Sequence, residues 1–272
     1  MKIRTSVLKL ILDILMFVTL MLLYSKNVIS LTFHELTGLI VLFVMLFHVL
    51  INGKWVCAVT KKMFDKSFSV RTKFLWVMDF LLLICTLAML VTSFLISKAL
   101  LPNFLGGHNS LIPFHFFFAA LLVILLGIHV GLHFKYIANV ISKKKKQRKA
   151  TKITAIIAAV LIAVAGIYSI STTSYIRWIK APFSTTQIQG HGSGNGQRQG
   201  HGSGNGQRQG GGQHGKPQEP QKISAKKVAG VFGTTTAMTL LFGIIAFTVE
   251  ECVERKKRGK NETNQIVSAS LN

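Results

Sequence analysis

The sequence predicts an all-α integral membrane protein, on three observations. Half of the 272 residues are hydrophobic and the mean hydropathy is +0.45, a profile beyond that of a soluble domain with one core. The apolar residues gather in runs of membrane-spanning length with basic segments between them. Histidines recur inside two of those runs, where an imidazole without a partner is costly and therefore marks a functional candidate.

Six spans can be drawn, at 7–25, 32–52, 75–97, 112–134, 153–171 and 228–250. The first has a charged start and an apolar run like a signal peptide. The run is long and lacks a clear A-x-A cleavage site, so it reads as a retained span. Orientation follows from lysine and arginine. Lys2, Arg4 and Lys9 precede the first span, and Lys54, Lys61, Lys62, Lys66, Arg71 and Lys73 fill the segment after the second. The loop before the fourth span holds only Lys98, a KKKKQRK run follows that span, and Arg255 to Lys260 closes the last. This pattern predicts both termini on the cytoplasmic side. Segment 172–227 carries eight Lys/Arg against that orientation, but long loops weigh little.

The expected organisation is a four-span module at 1–140, a basic loop with the fifth span at 141–171, a loop at 172–227, and the sixth span with a basic tail at 228–272. The third region contains the decapeptide GHGSGNGQRQ twice. Its glycine, glutamine and serine cannot bury enough apolar surface to fold, so it reads as a disordered extracytoplasmic tether with incidental histidines, His191, His201 and His214. The net charge of +23 does not indicate nucleic acid, because the basic residues flank apolar spans; the expected partner is the lipid bilayer. Cys57, Cys85 and Cys252 form neither C-x-x-C nor C-x-x-C-H, which excludes a cysteine zinc site and covalent haem attachment.

His34 and His48 lie fourteen residues apart, and so do His115 and His129. On a helix that spacing is a rise of about 21 Å with the two rings about 40° from eclipsed, so each pair shares a face. An offset of 81 residues superposes the copies: His48-Val-Leu-Ile-Asn52-Gly-Lys54-Trp55 lies over His129-Val-Gly-Leu-His133-Phe-Lys135-Tyr136, and His34 over His115. A weaker echo pairs Asp13 with Asp79. Repeats in membrane chains often place the site between the repeated units. Spans two and four run in the same direction. If they face each other across a four-helix bundle, each of two levels presents two imidazoles, which are the axial ligands of a b-type haem. Two b-type haems are expected, held by His34 with His115 and by His48 with His129.

Other residues have less decided roles. Gly38, Gly127 and Gly131 can admit a flat macrocycle to the backbone or serve a helix crossing. Lys54 and Lys135 can meet haem propionates or anchor the spans at the interface, where Trp55 and Tyr136 also belong. His133 matches Asn52 in the other copy, so it can bond a propionate, sit at a quinone or flavin site, or replace His129 as ligand. His108 reads as a loop histidine near an electron exit. Glu35 lies on a different face from His34 and suits ring orientation or proton handling. Asp13 and Asp79 are intramembrane acids able to pair with lysines.

Residues H34-E-L-T-G38, H48-V-L-I-N52-G-K-W55 and H115 through H129-V-G-L-H133-F-K-Y resemble the flavinylation-associated cytochrome family over about residues 5–140. The resemblance implies a cytochrome b-like four-helix module with His34, His48, His115 and His129 as haem ligands. It implies electron transfer across the membrane to an extracytoplasmic acceptor such as a flavoprotein partner, with a quinol or a cytoplasmic reductase as donor. No flavin-attachment motif is present, and Gly233-Thr-Thr-Thr-Ala does not supply one. The two further transmembrane helices fall outside the resemblance. The alternative is a haem-free transporter, sensor or assembly factor whose histidines handle protons or a metal.

Overall fold

The computed structural model describes residues 5–24, 26, 28–100, 108–141, 149–184 and 224–270. The decapeptide repeat with its histidines and the basic run at 143–148 lie outside them. The described chain is helical, with no strand: α1 (Thr5–Leu23), α2 (Leu31–Ile51), α3 (Gly53–Lys61), α4 (Val70–Ile96), α5 (Ile112–Ile141), α6 (Lys149–Thr172), α7 (Tyr175–Lys180) and α8 (Ala225–Ser270). Helices α1, α2, α4, α5, α6 and α8 are long and apolar enough to cross a membrane, which makes this a multi-pass membrane protein. They correspond one for one to the six spans read from the sequence. Several run past those limits, because a helix keeps its hydrogen bonds in water as well as in lipid. Thus α4 begins at Val70 and α5 continues to Ile141.

Local sequence explains the breaks. The Ser30 hydroxyl accepts from the Phe33 amide at 3.1 Å and starts α2. Asn52 ends α2: its Nδ2 donates to His48 O at 2.9 Å and its Oδ1 accepts from Lys9 Nζ at 2.7 Å. The chain then turns into the short amphipathic α3, with Val59 buried and Lys54 and Trp55 exposed. A 3₁₀ turn at Asn109–Leu111 leads into α5, where Pro113 sits in the first turn and costs no helical hydrogen bond.

Four of the helices form a ring. α1 packs on α2, α2 on α4, α4 on α5 and α5 on α1. The diagonals stay apart: among the described residues neither α2 and α5 nor α1 and α4 have a Cα pair within 8 Å. Leu20, Met21, Val41, Cys85 and Leu122 fill the middle of this ring. Val41 and Leu122 are themselves 81 residues apart, each midway between the two histidines of its helix. The outer faces of α2 and α6 are apolar and exposed, with Phe43, Phe47, Leu50, Ile156, Leu161 and Val164 turned outward. That is the surface hydrocarbon chains cover in a bilayer.

The first four spans are not self-contained, because α8 lies along α5 and also touches α1, and α6 lies on α8. Of the two roles open to them, two glycines take the helix crossing. Gly127 and Gly131 face α8 and not the ring interior. A Cβ at Gly127 would clash with Thr239 O, and one at Gly131 with Gly243 O. They bring two backbones together, as small residues do in membranes, where packing replaces the hydrophobic effect between helices. At the charged end Lys135 bridges Glu251 (2.7 Å) and Glu254 (2.8 Å), and Arg71 pairs with Glu250. The expected loop at 172–227 is not irregular at its start. α7 packs on α5 through Tyr175, which is 2% exposed and donates to Ala120 O at 2.9 Å.

Because backbone atoms cannot yield to a new methyl group, Gly131→Ala is expected to destabilise the detergent-solubilised protein by about 1–3 kcal/mol and lower its Tm. Gly230→Ala, where nothing lies within 4 Å, should leave Tm unchanged or raise it. Equal melting curves for the two variants would refute the close α5–α8 contact.

Candidate functional site

The ring of helices sets the four repeated histidines at two levels, and at one of them two meet across it. At one, the rings of His34 on α2 and His115 on α5 face each other, with centroids 6.2 Å apart and planes at 77°. Each ring is anchored through Nδ1 to the preceding helix of its own copy. His34 Nδ1 lies 2.8 Å from Leu23 O, a carbonyl in the last turn of α1 that has no helical partner. His115 Nδ1 lies 3.4 Å from Thr92 Oγ1. The Thr92 hydroxyl is directed at the carbonyls of Ala88 and Met89 (3.0 and 2.8 Å), so its lone pair faces the ring.

At the other level the anchors are carboxylates. His48 Nδ1 is 2.8 Å from Asp13 Oδ1, a close pair bent away from hydrogen-bond linearity, and His129 Nδ1 is 2.7 Å from Asp79 Oδ1. The Leu23 carbonyl and the Asp79 carboxylate accept only, so they place a proton on Nδ1 of His34 and of His129. This corrects the expectation that Asp13 and Asp79 pair with lysines. They sit at the depth of His48 and His129 on adjacent helices, while Lys9 reaches along α1 to Asn52. The echo between the two aspartates was visible in the sequence. What the sequence could not show was the rotation of α1 and α4 that aims them at the rings.

The two levels differ in closure. Two imidazoles bound on opposite sides of one metal by bonds of about 2 Å hold their centroids about 6 Å apart. His34 and His115 have that separation, and their Nε2 atoms are the ones left for a ligand. His48 and His129 make no ring contact with each other. His133 stacks 4.6 Å from His129, and its Nε2 lies 3.9 Å from Asp79 Oδ1. Asp79, His129 and His133 thus put three donor atoms within 4.8 Å of one another.

The remaining candidates divide clearly. Gly38 has open space around its Cα, with nothing within 4 Å of a built Cβ. Lys135 is held by two carboxylates of α8, and Lys54 is exposed on α3. His108 lies at the lead into α5, its amide bonded to Leu95 O at 3.1 Å. Glu35, left without a decided role by the sequence, ties α2 to the end of α4. Its carboxylate accepts from Ser97 Oγ (2.7 Å) and from the amides of Lys98 (3.0 Å), Ala99 (3.1 Å) and Leu100 (2.9 Å). Beside it, burial pushes the Lys26 ammonium below its usual range; Lys98 adds to that and Glu35 opposes it.

No protein-family model, curated protein or solved structure matches this chain. The chemistry of the site therefore rests on the chain's own residues. Two groups of side chains are of the kind that hold a metal or a cofactor carrying one: the facing pair His34 and His115, and the cluster of Asp79, His129 and His133.

Hydrogen bonds to a charged group contribute about 1.5–3 kcal/mol each. Glu35→Ala is therefore expected to speed amide exchange at residues 98–100 by roughly tenfold or more, measured by hydrogen–deuterium exchange with mass spectrometry. Unchanged exchange there would contradict the assigned cap.

Proposed function

We propose that this chain is a b-type di-haem membrane cytochrome that carries electrons across the cytoplasmic membrane. The observation that carries the reading is the His34–His115 pair: two facing imidazoles at 6.2 Å, both anchored at Nδ1. Support comes from the second histidine pair at the same spacing, with its own Nδ1 anchors. The separation of α2 and α5 also favours it, since a flat macrocycle needs backbones kept apart.

In this reading His34 and His115 bind one haem and His48 and His129 the other, and haem iron supplies reversible one-electron storage. The residues do the rest. Leu23, Thr92, Asp13 and Asp79 orient the ligand rings and fix their tautomer. Val41 and Leu122 keep the space between levels dry, and Gly38 leaves α2 without a side chain one turn beyond His34. The distribution of lysine and arginine puts the His48–His129 level on the cytoplasmic side. A quinol or cytoplasmic reductase then donates there, and an extracytoplasmic acceptor, a flavoprotein by the family resemblance, receives electrons from the His34–His115 level.

One observation favours a second reading, a haem-free protein with a mononuclear metal site: the cluster of Asp79, His129 and His133, a donor set suited to a borderline divalent cation. Spectroscopy separates the two. The purified full chain should show reduced b-type α bands and about two haems per chain by pyridine haemochrome. His34→Ala and His115→Ala should each remove about one of them. A colourless protein with one tightly bound transition metal that is lost in His133→Ala supports the second reading instead.

A further inference from the structure

An open groove of about 620 Å³ runs between the first two helices and the start of α8, at the end of the bundle that carries His34 and His115. Leu22 of α1, Ile29 of the connector, Phe33 of α2, and Ala225, Ala229 and Phe232 of α8 line it, all of them apolar. Phe33 also begins an exposed stripe on α2 that continues through Leu36, Ile40, Phe43 and Phe47. That stripe rises about 21 Å, more than the roughly 15 Å of one leaflet of hydrocarbon. The same end is basic without acidic balance. Lys26, Lys98, Arg177, Lys180, Lys226 and Lys227 are all exposed there. Among the described residues the one acid at that end is Glu35, whose carboxylate is taken by Ser97 and the amides of residues 98–100. The orientation read from lysine and arginine puts this end opposite the cytoplasm, so these cations serve no topological purpose. Two of them stand beside the groove. Lys26 lies in the connector between Leu22 and Ile29, and Lys226 follows Ala225 in the first turn of α8. Neither ammonium bonds a carboxylate among the described residues.

We propose that this groove binds one anionic phospholipid, with an acyl chain against Leu22, Phe33 and Phe232 and the phosphate at Lys26 and Lys226. Two separate observations fix the two halves of the ligand. The walls are apolar and open sideways onto the exposed stripe of α2, which is the surface hydrocarbon chains cover. The lysines beside them can lay their stems on apolar surface and hold their ammonium groups at headgroup height. A phosphate there supplies the charge both lack. Burial and Lys98 together hold the Lys26 ammonium below its usual range, and an anion beside it relieves that. The first amides of α8 have no helical acceptors and add to the positive field. The rival ligands match only half of the site. A zwitterionic lipid fills the groove but brings its own cation, and inorganic phosphate leaves the apolar walls bare. The site does not depend on haem at either level.

The test is native mass spectrometry of the purified full-length chain in neutral detergent, doped with phosphatidylglycerol or with phosphatidylcholine of the same acyl chains. A lysine near an anionic headgroup is worth roughly a fivefold gain, so the wild type should retain phosphatidylglycerol about fivefold or more over phosphatidylcholine. Lys26→Gln combined with Lys226→Gln should remove most of that preference. Lys54→Gln, at an exposed position on α3 at the opposite end, should keep it. Ala229→Trp, which fills the groove from an exposed position, should lower retention of both lipids. Equal retention of the two lipids by the wild type overturns the proposal, as does a preference that survives in the double glutamine variant. Lipid retention unchanged in Ala229→Trp places the lipid elsewhere and overturns it too. A wild type that holds no lipid and elutes as a dimer, which Ala229→Trp dissociates, assigns the groove to a second copy of the chain instead.

Discussion

The site depends on keeping α2 and α5 apart while His34 and His115 stay in ring contact across the gap. A helix pair in a membrane normally closes until backbones or small residues touch, and the chain does that elsewhere, at Gly127 and Gly131 against α8. Across the ring it does not. α1 and α4 stand between α2 and α5 on either side, and the imidazoles are pinned to those intervening helices. The pins matter as much as the gap. An imidazole free to rotate in hydrocarbon would seek any acceptor. Here Nδ1 of His34 is already held by Leu23 O and Nδ1 of His129 by Asp79 Oδ1.

The ring alone does not account for the shape of the site, because one of its four members is braced from outside. α5 carries two of the histidines and has α8 along its other face, drawn close by glycine and held at the charged end by Lys135 with Glu251 and Glu254. This division of labour explains why α5 can be apolar on every side and still hold a fixed rotation. The glycines interrupt its bulk only where α8 passes. α7 adds a third brace near His115, through Tyr175 and through Trp178, which stacks on Phe116 with centroids 5.7 Å apart. The last two spans are thus part of what positions the histidines, not an appendage to a finished module.

Much of this was legible in the sequence. Span length and hydropathy placed all six membrane helices, since backbone satisfaction in lipid leaves helices as the available structure. The 14-residue spacing and the 81-residue offset put His34 and His115 at one depth, because helical periodicity and parallel direction are enough for that. The misses share one cause. Which way Asp13, Asp79, Lys135 and the two glycines point depends on the rotation of each helix about its axis and on which neighbour it meets. A nearly uniform apolar helix carries little periodicity from which to read either. Glu35 was missed for a related reason: its partners are backbone amides at 98–100, which have no signature in sequence.

The central claim is that imidazoles meet in pairs around a metal. Low-temperature electron paramagnetic resonance of the oxidised, purified full-length protein tests it most directly, because it reports how many nitrogen ligands the iron has and not merely whether pigment is present. The account predicts low-spin ferric signals from centres with a histidine on each side, and the loss of one such centre in His115→Ala. A high-spin signal from iron held by a single histidine, or no iron signal at all, would contradict it.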